Sequence, residues 1–543
     1  MLLHVDITEK SFGPKILFSR INFSVDDGEK VGIIGRNGVG KSTIFNVLSG
    51  ADTDFTGDIV LRRGTQLVAT SQEYHDVGNR SVVEYILSGL PEFAKLSEII
   101  RRFSELDNPK KHQIDEYSEA LERFSSKGYY HIEDQVREEL KAFQLEHLAD
   151  APFSTLSGGQ KRLSEVIKIM HSGAHIALID EPTNFMDYVA KDQFIDWMKS
   201  APEAICIITH DRDVLREVDR IIEIKDGSAI SYRGNYEFYL RENASRTSTA
   251  MTSYEVIERR IDNLKQKLSE YRRLKDKSKH VSATVKQFKR LEAETLAELT
   301  ELQSIDRPSF WIDKDSVEQL GFKDSDRYDK YKARNVKLAL KSEQSKSKKV
   351  IVEAKGLSVG YELPLFASVD LELRESEALE IRGRNGAGKT TLLKALLHEP
   401  GPQVFDGAVK LDPHVRLGIY QQEVDTKYFD LKLPAAIEQI YRDKNLSITD
   451  QKIRKLMSDY LFVEADREVL VRNLSGGQKA RLQIIAMLAS DPTLLILDEP
   501  TSHLDLPSIE ELEQALLKYH GAILYISHDN YFRTKIGGQI VTL

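Results

Sequence analysis

Two octapeptides in this chain have the composition of a polyphosphate cradle: Gly35-Arg36-Asn37-Gly38-Val39-Gly40-Lys41-Ser42 and Gly383-Arg384-Asn385-Gly386-Ala387-Gly388-Lys389-Thr390. Glycines let the backbone curl until successive N–H groups converge on phosphate oxygens, and a helix opening at the end of the loop adds positive potential. The spacing G-x-x-x-x-G-K-[ST] lets Lys41 and Lys389 reach β- and γ-phosphates and puts Ser42 and Thr390 where a hydroxyl can ligate Mg²⁺, with Thr43 and Thr391 next in the first turn. Around the first loop, the apolar run Lys30-Val31-Gly32-Ile33-Ile34 reads as the strand before and Thr43 to Leu48 as the helix after.

Other short segments repeat in step with these loops. Leu156-Ser157-Gly158-Gly159-Gln160 returns as Leu474-Ser475-Gly476-Gly477-Gln478, Asp180-Glu181-Pro182-Thr183 as Asp498-Glu499-Pro500-Thr501, and Thr209-His210-Asp211 as Ser527-His528-Asp529. Each pair is 318 positions apart (157 to 475, 181 to 499, 210 to 528). An internal duplication is the reading, with the helix start at each L-S-G-G-Q a further anion-binding surface.

These residues resemble those of the ATP-binding cassette superfamily. The resemblance implies ATP and Mg²⁺ as ligands, with Asp180 and Asp498 brought to the metal by the apolar strands before them. Glu181 and Glu499 would orient and polarise the attacking water. Gln72 and Gln422 match the loop that senses metal and water, and His210 and His528 the switch histidine facing the γ-phosphate. Phe12 and Tyr361 are candidates to stack on adenine, with packing into the core as the alternative. Each signature would complete the opposite half's site: Lys41, Ser42, Asp180 and Glu181 with Ser475 and Gly477, and Lys389, Thr390, Asp498 and Glu499 with Ser157 and Gly159. Both sites are then expected to hydrolyse ATP. The loop Ser502-His503-Leu504-Asp505 is close to the usual pattern, whereas Asn184-Phe185-Met186-Asp187 has Phe185 in place of a histidine, which reads as apolar packing.

The elements that position these residues make an α/β chain: two tandem ATP-binding cassette domains joined by a long α-helical hairpin linker, with no transmembrane domain. At 543 residues the chain exceeds what one hydrophobic core serves. No apolar run approaches the roughly 20 residues of a bilayer span. The first twelve residues carry no signal pattern, so a cytoplasmic protein is expected. The lone cysteine, Cys206, excludes thiolate-held metal clusters, and a net charge of −9 confines any nucleic-acid contact to a local patch. Residues 1–240 are expected to form the first cassette, 241–345 the linker and 346–543 the second cassette. From Gln72 to Ser157 is 85 positions and from Gln422 to Ser475 is 53, so the first half carries 32 more, expected as a helical arm at about 81–150.

Between the cassettes, Thr252-Ser253-Tyr254-Glu255 has capping-box spacing. Tyr254, Ile257, Ile261, Leu264, Leu268 and Tyr271 then follow at helical intervals, and the seam resumes as Phe288, Leu291, Thr295, Leu299 and Leu302 until Arg307-Pro308. This predicts a helix from Tyr254 to Lys277, a turn at Ser278 to Ser282, and a tip at about 274–288 carrying Arg272, Arg273, Lys275, Lys277, Lys279, Lys286, Lys289 and Arg290. Such a cluster suits an RNA backbone, the bland alternative being a solvated charged hairpin. Phe310 and Trp311, in the linker beyond, are expected to pack on a cassette.

Twin cassettes, the arm, the charged linker and Tyr232-Arg233-Gly234-Asn235-Tyr236-Glu237-Phe238-Tyr239 resemble the ABC-F proteins. The resemblance covers essentially the whole chain, which is expected to end without the C-terminal extension of some relatives. It implies an ATPase that binds the ribosome near the tRNA exit site when ATP closes the cassettes, its linker reaching P-site tRNA and the peptidyl-transferase centre. A monomer with an intramolecular cassette pair is expected. Protection against ribosome-targeting antibiotics and a housekeeping role in translation both fit. The energy subunit of an importer is a competing reading, opposed by the long basic linker.

Overall fold

The strand that precedes the first phosphate loop, Lys30–Gly35, is buried along its whole length, as a strand sandwiched between helices must be, and Ala378–Arg382 before the second is buried at its three central residues. The computed structural model describes every residue except 14, 71–78, 107–108, 278–281, 304–348, 422–423 and 503, and, for side chains, 15, 276–277, 282–284 and 303. Gln72, Gln422, His503, Lys279, the Lys277 side chain, the expected turn, Arg307-Pro308, Phe310 and Trp311 therefore lie outside the described residues.

Met1–Tyr236 with Val336–Leu543 form one compact unit, Glu237–Asn335 the second. Within the first unit, Lys30–Gly35 sits in a six-stranded sheet between Arg220–Lys225 and Ala204–Ile208, with Ile176–Asp180 next in line and every one of these pairings parallel. Ala378–Arg382 and Leu494–Asp498 repeat the scheme on either side of Ala522–Ile526. This parallel core aligns the strand ends, so that both phosphate loops and both Asp-Glu pairs emerge at the carboxyl edge of their sheet, where ligands of open α/β sheets bind. An antiparallel sheet built on Leu3–Phe12 covers the first cassette and one built on Val350–Gly360 the second.

The extra length of the first half includes a pair of helices, Phe93–Ser104 and Lys111–Ser126. They meet through the stacked rings of Phe103 and Tyr117, 4.0 Å apart, and the ring of Phe93 against Phe124. Along the first of them only Leu96 is buried.

The second unit corrects one expectation. Its first helix runs unbroken from Tyr236 to Lys277, 42 residues, or about 63 Å at 1.5 Å per residue, rather than starting at Tyr254. Thr252 and Ser253 cap nothing: their hydroxyls donate back to the carbonyls of Ser248 and Thr249, one turn earlier. Upstream, Gly234 takes a φ of 132° that only glycine accepts readily, while Tyr232 and Tyr236 are buried and the Tyr232 hydroxyl donates to Glu223. The return helix, Ser282–Gln303, places Leu299 against Leu264 and Leu268, and Tyr271 faces Phe288 at 6.4 Å. No described helix is long and apolar enough to cross a membrane.

A continuous helix makes Thr252→Ala neutral or stabilising by a few tenths of a kcal/mol, where loss of a true N-cap would cost about 1 kcal/mol. Hydrogen exchange at the amides of residues 252–257 checks this, and strong protection in both proteins is expected.

Candidate ATP sites

Both phosphate loops hand over to a helix, Lys41–Leu48 and Lys389–Leu396, after a glycine held in the left-handed region, Gly40 at φ 98° and Gly388 at φ 93°. Space is short there as well: a Cβ on Gly40 would fall 2.6 Å from Leu17 and Phe18, and one on Gly388 3.0 Å from Phe366. Sequence reading passed over these apolar pairs, yet Leu17-Phe18 and Leu365-Phe366 are spaced like Lys41 and Lys389, 348 positions apart.

Lys41 is buried and donates to the carbonyls of Gly35 at 2.8 Å and Arg36 at 3.3 Å, and Lys389 does the same to Gly383 and Arg384. Behind each lysine stands a histidine, His210 Nε2 at 3.1 Å from Lys41 Nζ and His528 Nε2 at 3.5 Å from Lys389 Nζ. Burial and the neighbouring ammonium push both imidazoles down, to about 3 for His528, so both rings are neutral. Burial likewise lowers both lysines, against the pull of the nearby carboxylates.

Glu181 and Glu499 follow their strands in a left-handed backbone, φ 45° and 49°, a strain characteristic of functional turns. Their N–H groups anchor on the neighbouring strand, at Ile208 and Ile526. Burial raises both carboxyls, that of Glu499 to about 7, with Lys41 and the His528 N–H opposing the rise at Glu181 and Glu499 respectively. A carboxylate in this range, next to a phosphate-binding lysine, can accept a proton or hydrogen bond from water.

For a metal, Ser42 Oγ lies 2.7 Å from Asp180 Oδ2 and Thr390 Oγ1 3.1 Å from Asp498 Oδ2. Among the described residues no cluster of three or more His, Cys, Asp or Glu could hold an ion by itself. A hydroxyl and one carboxylate are the donors that suit Mg²⁺ shared with a polyphosphate, which then neutralises charge on the phosphoryl oxygens.

The signatures open the helices Gly158–Met170 and Gly476–Leu488. Ser157 and Gln160 form a reciprocal capping box, as do Ser475 and Gln478, so both glutamines serve the helix start with their side-chain oxygens. A Cβ on Gly477 would lie 2.3 Å from Asn37 Nδ2, which places the second signature directly against the first phosphate loop. Reciprocally, Ser157, Gly159 and Gln160 line one cavity of 990 Å³ with Asn385, Gly386, Lys389 and Thr390. Phe185 packs on Gly159 of its own half, which accounts for an apolar residue there.

Phe12 lines a second cavity, of 500 Å³, with Lys41, Ser42 and Asp180. Tyr361 does not line either cavity; its ring lies beside Gly401, and Leu365 reaches the second phosphate loop instead.

The least legible contact is reciprocal. Asp187 caps the helix Tyr188–Ser200 through Oδ1, which accepts from the Ala190 N–H, and its Oδ2 accepts from the Asn385 N–H and Arg384 Nε of the other cassette. Asp505 caps Leu506–Leu517 through the Ser508 N–H and accepts the Asn37 N–H on Oδ2 at 3.0 Å. Burial pushes both carboxyls up, but these donors outweigh it and hold both below the usual range. In sequence each looks like an ordinary N-cap, and nothing local reveals its second partner.

Fold and geometry together define a pair of nucleotide-hydrolysing cassettes closed on one another. A family model described as ABC transporter matches residues 18–184 and 366–502, and a second of the same description matches 222–307. The chain belongs to the ATP-binding cassette family. Within it, this is an ATPase of the ABC-F type. The uncharacterized ABC transporter ATP-binding protein YfmR of Bacillus subtilis (strain 168) is 28% identical over 551 residues, 99% of this chain and 80% of that protein. Ribosome protection protein VmlR of the same organism is 26% identical over 540 residues, covering 98% and 85%. Among solved structures, the complex of archaeal ribosomal stalk protein aP1 with archaeal ribosome recycling factor aABCE1 shares the fold, with a TM-score of 0.56 at 17% identity over 96% of this chain and 85% of that one.

Asp187→Ala and Asp505→Ala each remove a cap and leave a loop amide of the other cassette unmatched, so each is expected to cost about 2 kcal/mol. Thermal unfolding of the nucleotide-free protein would show it as a lower Tm, with ATPase activity falling in both variants.

Proposed function

We propose that this protein is a cytoplasmic, monomeric ribosome-associated ATPase whose ATP-bound, closed cassette pair binds the ribosome near the tRNA exit site and whose hairpin reaches P-site tRNA and the peptidyl-transferase centre. The observation that carries this reading is the combination of two ATP sites completed in trans with a 42-residue helix inserted between the cassettes. Similarity to a ribosome protection protein, and a fold shared with a ribosome recycling factor, support the ribosome as partner. In each site the lysine would hold β- and γ-phosphates, Ser42 with Asp180 or Thr390 with Asp498 would hold Mg²⁺, and Glu181 or Glu499 would orient the water that releases phosphate. Loss of the γ-phosphate removes what both halves grip, and the pair opens.

At the hairpin end, Arg272 and Lys275 both pair with Glu292, and Arg290 pairs with Glu294. Arg273, Lys286 and Lys289 are exposed and make no ion pair among the described residues, so they are the stronger candidates for RNA phosphate. Protection against antibiotics is the role favoured by the similarity to VmlR; resistance in a susceptible host to lincosamides, streptogramins A, pleuromutilins, macrolides or phenicols would establish it, and no change with any class would leave a housekeeping role.

The double variant Glu181→Gln, Glu499→Gln should bind ATP, stop turning over and co-sediment with ribosomes in ATP but not in ADP. Its staying in the supernatant in ATP would overturn the proposal. Replacing Arg273, Lys286 and Lys289 by Gln in that background should weaken ribosome binding by about tenfold with ATP affinity intact, since each lost phosphate contact reduces a salt-dependent term.

A further inference from the structure

The helix Tyr188–Ser200, which carries the Asp187 cap, also carries a buried lysine that the hydrolytic mechanism above does not use. Lys191 has 1% of its surface exposed. Its Nζ donates to Asp213 Oδ2 at 2.6 Å and lies 3.4 Å from Asp211 Oδ2, both in its own cassette. The remaining donor goes across the interface to the backbone carbonyl of His528, at 2.9 Å. Asn530 of the second cassette closes the group by donating to Asp213 at 2.7 Å.

His528 is the switch histidine of the second site, and its own N–H donates to Glu499 Oε2 at 3.1 Å. A fixed ammonium therefore holds the carbonyl of the residue whose N–H, in the preceding peptide, holds the hydrolytic carboxylate. The duplication supplies the control. Position 509, the counterpart of 191 at the same 318-residue spacing, is Ile509, buried and without a donor, and it accompanies His210 in the interface cavity. The counterparts of Arg212 and Asp213 are Asn530 and Tyr531, so the Asp213 partner is absent there, while Asp529 stands in the place of Asp211. The lysine clamp is thus built on one site; at the other its place is apolar, and the cassettes are joined there instead by the buried pair of Arg212 with Glu513, 2.8 Å apart.

We propose that Lys191 is a trans-acting positioning residue for the site of Lys389 and Glu499, holding the backbone of His528 through its carbonyl so that Glu499, on the N–H of the same residue, stays aligned, and that the two ATP sites are unequal in that only one is under this control. The inference rests on the assignment of Glu181 and Glu499 as the hydrolytic residues. A carboxylate that loses its backbone support shifts by fractions of an ångström, and misplacement on that scale costs turnover rather than nucleotide affinity.

The test measures steady-state ATPase of the full chain with one site silenced at a time. In the Glu181→Gln background, where turnover comes from the Glu499 site, Lys191→Met should lower kcat by about tenfold with KM for ATP within about twofold. In the Glu499→Gln background the same substitution should leave kcat within about twofold of its parent. Lys191→Arg, which keeps a charged donor, should recover most of the loss. Should Lys191→Met unfold because Asp213 is left unpaired, the neutral pair Lys191→Met, Asp213→Asn decides the same comparison, with Tm recorded alongside. Equal losses in the two backgrounds, no loss in either, or a loss confined to KM would overturn the inference. Full activity of the double Glu181→Gln, Glu499→Gln parent would instead overturn the assignment beneath it.

Discussion

The closed cassette pair depends on two carboxylates that each serve both halves. Asp187 and Asp505 are buried, and each gives one oxygen to the helix start of its own cassette and the other to a phosphate-loop amide of its partner. A hydrogen bond to a charged group contributes about 1.5–3 kcal/mol, and a buried carboxylate stripped of one partner costs a similar amount. The same oxygens that stiffen a helix therefore register one ATP loop against the other half. Because Asn37 and Asn385 lie inside the phosphate cradles, closure of the interface and shaping of the nucleotide sites are one event.

From that constraint the rest of the machinery follows. Parallel sheets bring lysine, metal-ligand pair and glutamate to one edge; registration then sets the opposite signature helix over each cradle, as the contact of Gly477 on Asn37 shows for one site. Each glutamate sits in a strained turn next to a neutral histidine, an arrangement of high local order that persists only because the strands on either side hold it. Near-identical chemistry in the two sites sits in sequence that has diverged: at corresponding positions a buried lysine reaches the His528 carbonyl beside one, and Ile509 stands beside the other.

What could be read from the sequence was whatever phosphate chemistry confines to a contiguous stretch. The two G-x-x-x-x-G-K-[ST] loops, the L-S-G-G-Q helix starts, the Asp-Glu pairs and the histidines are local, and the structure gathers them at two cradles. Gln72 and Gln422 lie outside the described residues. The hairpin seam was legible because helical periodicity is local too, but its start was not: Thr252 to Glu255 offers a cap that the helix ignores, since 16 residues upstream of Thr252 already continue it from Tyr236. Tyr361 lines neither cavity, and Leu365 lies at the second loop. Contacts across the interface were out of reach. An aspartate before a helix reads as a cap and a lysine inside one as a solvated face, and only the tertiary placement of Asp187 and Lys191 gives them a second partner.

Whether each site is completed by the other cassette is decided by combining a blocked signature with one silenced glutamate and measuring ATP turnover. Ser157→Arg blocks the first signature. With Glu181→Gln it should abolish the remaining turnover, because the Glu499 site uses that signature, while with Glu499→Gln the Glu181 site should continue at its parent's rate. The reverse pattern, with turnover surviving beside Glu181→Gln and lost beside Glu499→Gln, would contradict completion in trans.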